Sequence, residues 1–416
     1  MIIIKKRKLY SPYSILLTIY LFFILFALLL DSPSEIFNGL IKIILSPDIL
    51  ITDYVELGGI GASLFNSALT SILSMLLLIF IGVKPNGSTI MSLWLMTGFS
   101  FFGKNILNIW PIIIGVFLYS KYQKEPFLNY SLVALLSTTL APAVSQLSFT
   151  NRFSTFYGII LGYSIGIFTG FILAPISSHC VKAHNGYNLY NVGFAAGLFA
   201  TMLMSILRAI GIEFETRVIW NTGSNHIFAI LLVIISIYLI IIGLFYNPNP
   251  KENLSYIIKQ PGRLVSDFYL LFGEACYINM GVLGLLSTFL VIFLKGDLNG
   301  PTISGIFTII GFGAFGKHIR NVTPIVLGAI LGALINVQPL NSPPLILSIL
   351  FSTALAPIAG KFGVIIGILA GFLHVNMVTN IGYLHGGLNL YNNGLAAGFV
   401  AMILIPTINM FKKETI

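Results

Sequence analysis

The chain has 416 residues, 56% of them hydrophobic and only 8% charged, against about 25% charged in soluble domains. A mean hydropathy of +0.94 excludes a water-soluble globule, because folding leaves much of the surface of any chain this size exposed. The net charge of +9 would point to nucleic acid in a soluble protein, but here the basic residues fall between apolar runs, where they set membrane topology. The lipid bilayer is therefore the expected partner. Neither nucleic acid nor a cofactor is called for. Cys180 and Cys276 lie in or beside apolar segments without metal-ligand spacing, so no metal is expected and no redox compartment can be read.

In chain order, Met1–Tyr10 carries Lys5, Lys6, Arg7 and Lys8 ahead of an apolar run to Leu30. That run ends without a small-x-small cleavage site and is long enough to cross a hydrocarbon core of about 30 Å, so it reads as an uncleaved first span. Apolar segments follow at 57–82, 88–103, 106–120, 128–147, 156–177, 188–208, 226–246, 272–294, 301–316, 321–335, 344–359, 362–380 and 389–410. Several fall short of the roughly 20 residues of an untilted span, and read as half-helices, re-entrant pieces or tilted helices. With every segment crossing and the N-terminus inside, 16 of the 22 basic residues lie on the cytoplasmic side. This bias favours fourteen crossings in the plasma membrane with both termini cytoplasmic.

The strongest signal is internal. Residues 86–115 align without gaps to 299–328, with 14 of 30 positions identical, among them Asn86/Asn299, Thr89/Thr302, Gly103/Gly316, Lys104/Lys317, Asn108/Asn321 and Pro111/Pro324. STTLAP at Ser137–Pro142 recurs as STALAP at Ser352–Pro357. HNGYNLYNVGFAAG from His184 recurs as HGGLNLYNNGLAAG from His385. Apolar composition does not reproduce Asn, Lys, His and Pro at fixed spacing, so the chain is duplicated. We expect an N-terminal span and acidic outer segment at 1–55, a first repeat at 56–208, a connecting span and basic linker at 209–271, and a second repeat at 272–416. Seven crossings between equivalent starts make the repeats inverted, an arrangement that places a transport site at the repeat interface. The fold class is an all-α polytopic membrane protein of about 12–14 membrane segments, two inverted repeats with short or broken helices.

The repeated polar residues are the candidates for chemistry. Lys104 and Lys317 fall at breaks between short segments. At a helix N-terminus each would add its charge to the dipole and attract an anion or a polar oxygen; alternatively each snorkels to its own surface. Asn188, Tyr190 and Asn191, and Asn389, Tyr391 and Asn392, precede small-residue stretches that allow close helix approach. Their amides either satisfy the backbone of a broken helix or face a polar solute. Asn108 and Asn321 belong with the lysine breaks, and Thr138 and Thr353 with kinks at Pro142 and Pro357. Intramembrane acids are scarce. Glu274 is the best coupling candidate, with His184 and His385 as further ones and His226 and His374 unrepeated. No P-loop, HExxH pattern or nucleophile–base cluster appears, so no catalytic residue is named.

The doubled Gly-Lys and NLYNxGxAAG segments resemble an uncharacterised family of multi-pass bacterial membrane proteins, a domain of unknown function, over nearly the whole chain. A weaker resemblance is to urea transporters, in Tyr190-Asn191 with Gly193, Tyr391-Asn392 with Gly394, and GIGASLFN at Gly59–Asn66. It implies a duplicated architecture and a small solute. The expectation is a channel or secondary carrier for a small polar solute or small anion, with association into homo-oligomers left open. A membrane enzyme acting on a lipid-borne substrate would instead need His179, His184 and His385 clustered at one face. A scaffold or receptor would show no polar cavity.

Overall fold

The computed structural model describes residues 11–150 and 154–411. The basic residues expected at Lys5–Lys8, Arg152, Lys412 and Lys413 lie outside them. The described chain is all-helical, with ten helices long and apolar enough to cross a membrane.

The first half runs α1 Pro12–Leu30, α2 Pro33–Leu45, α3 Tyr54–Gly58, α4 Ile60–Phe80, α5 Gly87–Phe99, α6 Trp110–Tyr122, α7 Ser131–Ser137, α8 Ala141–Phe149, α9 Thr155–Ala183 and α10 Asn191–Ala209. The second runs α11 Asn225–Tyr246, α12 Pro250–Lys259, α13 Phe268–Phe272, α14 Ala275–Phe293, α15 Gly300–Phe312, α16 Ile319–Leu334, α17 Pro343–Phe351, α18 Ala356–Phe362, α19 Val364–Ile381 and α20 Asn392–Phe411. Helices ten apart in this numbering correspond. α1 packs on α4 as α11 packs on α14, and α6 on α9 as α16 on α19. The correspondence thus reaches α1 and α11, outside the repeat boundaries drawn from the sequence. Those two helices are almost wholly apolar, so sequence identity leaves no mark in them.

Each of the fourteen apolar segments contains helix, but α5, α6 and α15 have 13 residues and α16 has 16. At 1.5 Å per residue the 13-residue helices extend only about 20 Å, too little to cross alone. Their starts are cut sharply. Asn86 and Asn299 each accept the N–H of the Thr three residues on, whose hydroxyl accepts the Asn N–H in return. These capping boxes account for the repeated Asn and Thr.

The halves meet through α5 against α15 and α10 against α20. The first pair is antiparallel. A side-chain carbon at Gly87, which opens α5, would sit 2.4 Å from the Ala314 carbonyl past the end of α15, and one at Gly300 would sit 2.4 Å from the Phe101 carbonyl past the end of α5. Asp53 of the first half accepts the Gly300 N–H at 3.2 Å, and Asp267 of the second accepts the Gly87 N–H at 2.9 Å. Each half therefore caps the central helix of the other. Gly87→Ala and Gly300→Ala force a methyl into a backbone carbonyl. Each should lower the melting temperature in detergent by more than Gly382→Ala, where φ is −57° and the nearest atom lies 3.9 Å away; equal effects would mean that the central contact is loose.

Candidate functional site

The Gly-Lys breaks are helix C-termini. Gly103 and Gly316 have φ of 91° and 111°, and the Lys104 and Lys317 N–H groups reach back to the Phe99 and Phe312 carbonyls at 3.0 and 2.9 Å. This is a Schellman closure, with glycine in the left-handed region. The lysines stand at the negative end of a helix dipole, where a cation is favoured, and Lys317 also directly precedes His318, the N-cap of α16. Asn108 and Asn321 donate to the Gly103 and Gly316 carbonyls at 3.1 and 2.9 Å. Asn66 binds the Ser100 and Lys104 carbonyls, and Asn279 binds those of Gly313 and Lys317. The Asn66/Asn279 pair escaped the sequence reading, although extending the ungapped alignment by twenty residues would have found it.

The NLYN segments lock the halves together. Asn188 donates to the Gly394 carbonyl at 3.0 Å and Asn389 to the Gly193 carbonyl at 3.1 Å. Their side-chain oxygens accept the N–H groups of Tyr190 and Tyr391, which fixes where those tyrosines point. At the STxLAP sites the kink is a 3₁₀ turn, at Thr138–Leu140 and Ser352–Leu355. The carbonyls it frees accept across the halves, Thr139 from the Leu390 N–H at 3.1 Å and Ala354 from the Leu189 N–H at 2.9 Å. His184 and His385 bind Asn191 and Asn392 at 2.9 and 2.8 Å, while their Nδ1 atoms accept the Asn188 and Asn389 N–H groups. Most of the amides proposed to line a pathway thus satisfy broken backbone instead. Asn188 and Asn389 are fully buried, and of the NLYN amides only Asn191 reaches the cavity wall described below.

The tyrosines meet the lysines. Lys104 Nζ donates to the Tyr391 hydroxyl at 2.7 Å, and Lys317 Nζ donates to the Tyr190 hydroxyl at 2.6 Å and to Thr353 Oγ1 at 2.7 Å. Each lysine thus reaches the tyrosine of the opposite half. Each ammonium also lies over aromatic rings, Lys104 4.8 Å from the Tyr391 centroid and Lys317 4.5 Å from that of Tyr190, an attraction to the ring face. Both lysines are 0% exposed, so neither snorkels to a surface. Neither forms an ion pair among the described residues. Thr138, the counterpart of Thr353, bonds the Leu135 carbonyl and touches the Met96 sulfur.

Both tyrosines line one cavity of about 350 Å³, together with Phe99, Phe312 and Phe351 at depth and with Asn129, Ser178 and Val265 at the exposed mouth. No Asp, Glu, Lys, Arg or His is among its lining residues. The corresponding face of the other half is covered. Val265 is 79% exposed, whereas its counterpart Ile51 is 5% exposed, because the connection between α10 and α11 lies across it. Ile51 donates to the Arg217 carbonyl at 3.2 Å and accepts from the Ile219 N–H at 3.0 Å. Glu274 stands at the start of α14, half-buried, and does not line the cavity. His179 lines a separate apolar recess with Phe194 and Phe399, while His184 and His385 are each bound within their own half, so the three histidines form no shared cluster.

A family model described as protein of unknown function (DUF1576) matches residues 32–209 and 247–410. The chain belongs to this family of uncharacterised proteins. It is a multi-pass membrane protein by its apolar helices. No curated protein and no solved structure matches the chain, so the similarity to urea transporters gains no support.

A buried ammonium without a counter-charge costs several kcal/mol. Lys104→Met and Lys317→Met, which keep the shape and remove the charge, should each raise stability by roughly 1 kcal/mol or more in the purified protein, read as a higher melting temperature. A lower one would mean that the tyrosine contacts alone stabilise the charge.

Proposed function

We propose that the protein is a secondary carrier for a small organic anion, which moves between two inverted halves and binds at Tyr190 and Tyr391. The observation that carries this reading is the pair of buried lysines, each donating to the cavity-facing tyrosine of the other half. Lysine donation occupies a lone pair on each phenol oxygen and leaves its O–H free to donate into the cavity. With two ammonium groups behind the wall and no acid in the lining, the field favours an anion. The apolar remainder of the wall suits the carbon body of such a ligand. A neutral polar solute has the weaker claim, because it leaves the two charges uncompensated.

An opening on one face with its counterpart covered supports a carrier over an open channel. The antiparallel α5–α15 pair supports inversion, since corresponding helices then point to opposite sides. By the distribution of basic residues the cavity opens to the cytoplasm, and both termini lie there in the plasma membrane.

Proteoliposomes should take up a labelled monocarboxylate such as benzoate, and not its amide, in a protein-dependent way. Tyr190→Phe should reduce uptake by at least tenfold, the loss expected when about 1.4 kcal/mol of a hydrogen bond to a charged group goes. Equal uptake of acid and amide, or flux of urea or glycerol without any anion, would replace the anion reading by one for neutral solutes.

A further inference from the structure

The two halves part company at one buried polar cluster. Asp48, on the loop between α2 and α3, corresponds to Gly262 on the loop between α12 and α13. Asn108 Nδ2 lies 3.2 Å from Asp48 Oδ2, just as Asn321 Nδ2 faces Gly262. Tyr54 donates its hydroxyl to Asp48 Oδ2 at 2.9 Å, where the second half has Phe268. Ser145 accepts from Asn108 at 3.0 Å. By the alignments of the lysine breaks and STxLAP segments, Ser145 and Ser148 correspond to Gly360 and Gly363, and Asn105 to His318. One half thus carries a carboxyl, a phenol and two hydroxyls where the other has three glycines and a phenylalanine.

The cluster is also incomplete. Asp48 is 0% exposed, and its Oδ1 atom has no hydrogen-bond partner; Asn105 Nδ2 and Ser148 Oγ are likewise buried and unpartnered. Unsatisfied buried groups of this kind are uncommon and call for an occupant. A cavity of about 50 Å³ has Asn105, Asn108, Ser145 and Ser148 in an otherwise apolar and aromatic wall, with Asp48 behind Asn108, room for a water with polar partners. The unpartnered amide is a donor, which fits a water oxygen and opposes a metal cation. The charged group facing Asp48 is Arg217 of the α10–α11 connection, which donates to the Pro47 carbonyl and to Ser46 Oγ without reaching ion-pair distance. Tyr54 is the other titratable neighbour.

We propose that Asp48 is a proton-binding site, linked through Asn108 to a water among Asn105, Ser145 and Ser148, and that its proton is the ion coupled to anion movement. The coupling half of this statement rests on the carrier reading above. One proton is taken up by the carboxylate and returned to solvent per cycle, with no other bond made or broken. The neutral carboxyl fits the closed face seen here, where Arg217 stays beyond ion-pair distance. Burial raises the Asp48 carboxyl to about 7, against the pull of Tyr54, Ser145 and Arg217. Its ionisation draws Arg217 and so bears on the connection that covers this face. Asn108 carries the change further, since it binds both Asp48 and the Gly103 carbonyl beside Lys104.

The test is infrared titration of the full-length protein in nanodiscs, alongside uptake driven by a proton gradient. We expect the carbonyl stretch of a protonated carboxyl to fade as the pH rises through neutrality and to be missing in Asp48→Asn. Tyr54→Phe, which removes the hydroxyl that donates to Asp48 Oδ2, should shift the midpoint upward, a second check should Asp48→Asn fail to fold. The proton-driven part of uptake should be lost in Asp48→Asn. No such band in the wild-type protein, or a band unchanged in Asp48→Asn, overturns the proposal. A titrating Asp48 band without uptake of any anion keeps the proton site and removes the carrier. Anion uptake indifferent to the proton gradient, without the band, does the reverse.

Discussion

A helix that stops inside a bilayer leaves backbone N–H and C=O groups that lipid cannot satisfy, and this constraint shapes the protein more than any other. Its central helices begin and end inside a buried core, as do the turns at Thr138–Leu140 and Ser352–Leu355. The partner for a broken end comes repeatedly from the other half. Asp53 and Asp267 cap across, Leu189 and Leu390 donate across, and Asn188 and Asn389 reach across to the Gly394 and Gly193 carbonyls. Neither half is complete alone, so the interface is as much a folding requirement as a site.

The same crossing places the charges. Within each half a Schellman closure delivers a lysine into the buried interior, and the opposite half meets it with a tyrosine and not with a carboxylate. A carboxylate would have cancelled the charge locally. A phenol accepts from the lysine and still has a proton to give at the cavity wall. That division keeps the wall itself free of ionised groups, as its lining shows.

The sequence made much of this legible, and its silences have physical causes. The duplication was readable because Asn, Lys, His and Pro do specific work at fixed offsets, and the capping boxes and Schellman closures now say what work. The extent of the repeat was not readable, because α1 and α11 are selected for apolarity and any apolar residue serves. NLYN was recognisable as a repeated segment, and its amides hold backbone while the tyrosine between them faces the cavity. An Asn in a membrane looks the same in sequence whether its partner is a carbonyl or a solute. Asp48 was passed over as part of an acidic outer segment, since burial of a loop residue depends on what folds over it, and the cover here is a connection more than 160 residues downstream.

That connection has a consequence of its own. On the carrier reading proposed above, a fold of two similar halves with a cavity on one face has a twin arrangement of similar energy with the cavity on the other. The segment joining α10 to α11 lies over one face only. It lifts the degeneracy. Each 1.4 kcal/mol of its contacts weights the two arrangements tenfold, so a stretch of chain needed merely to join two copies acts as a thermodynamic bias on a duplicated machine.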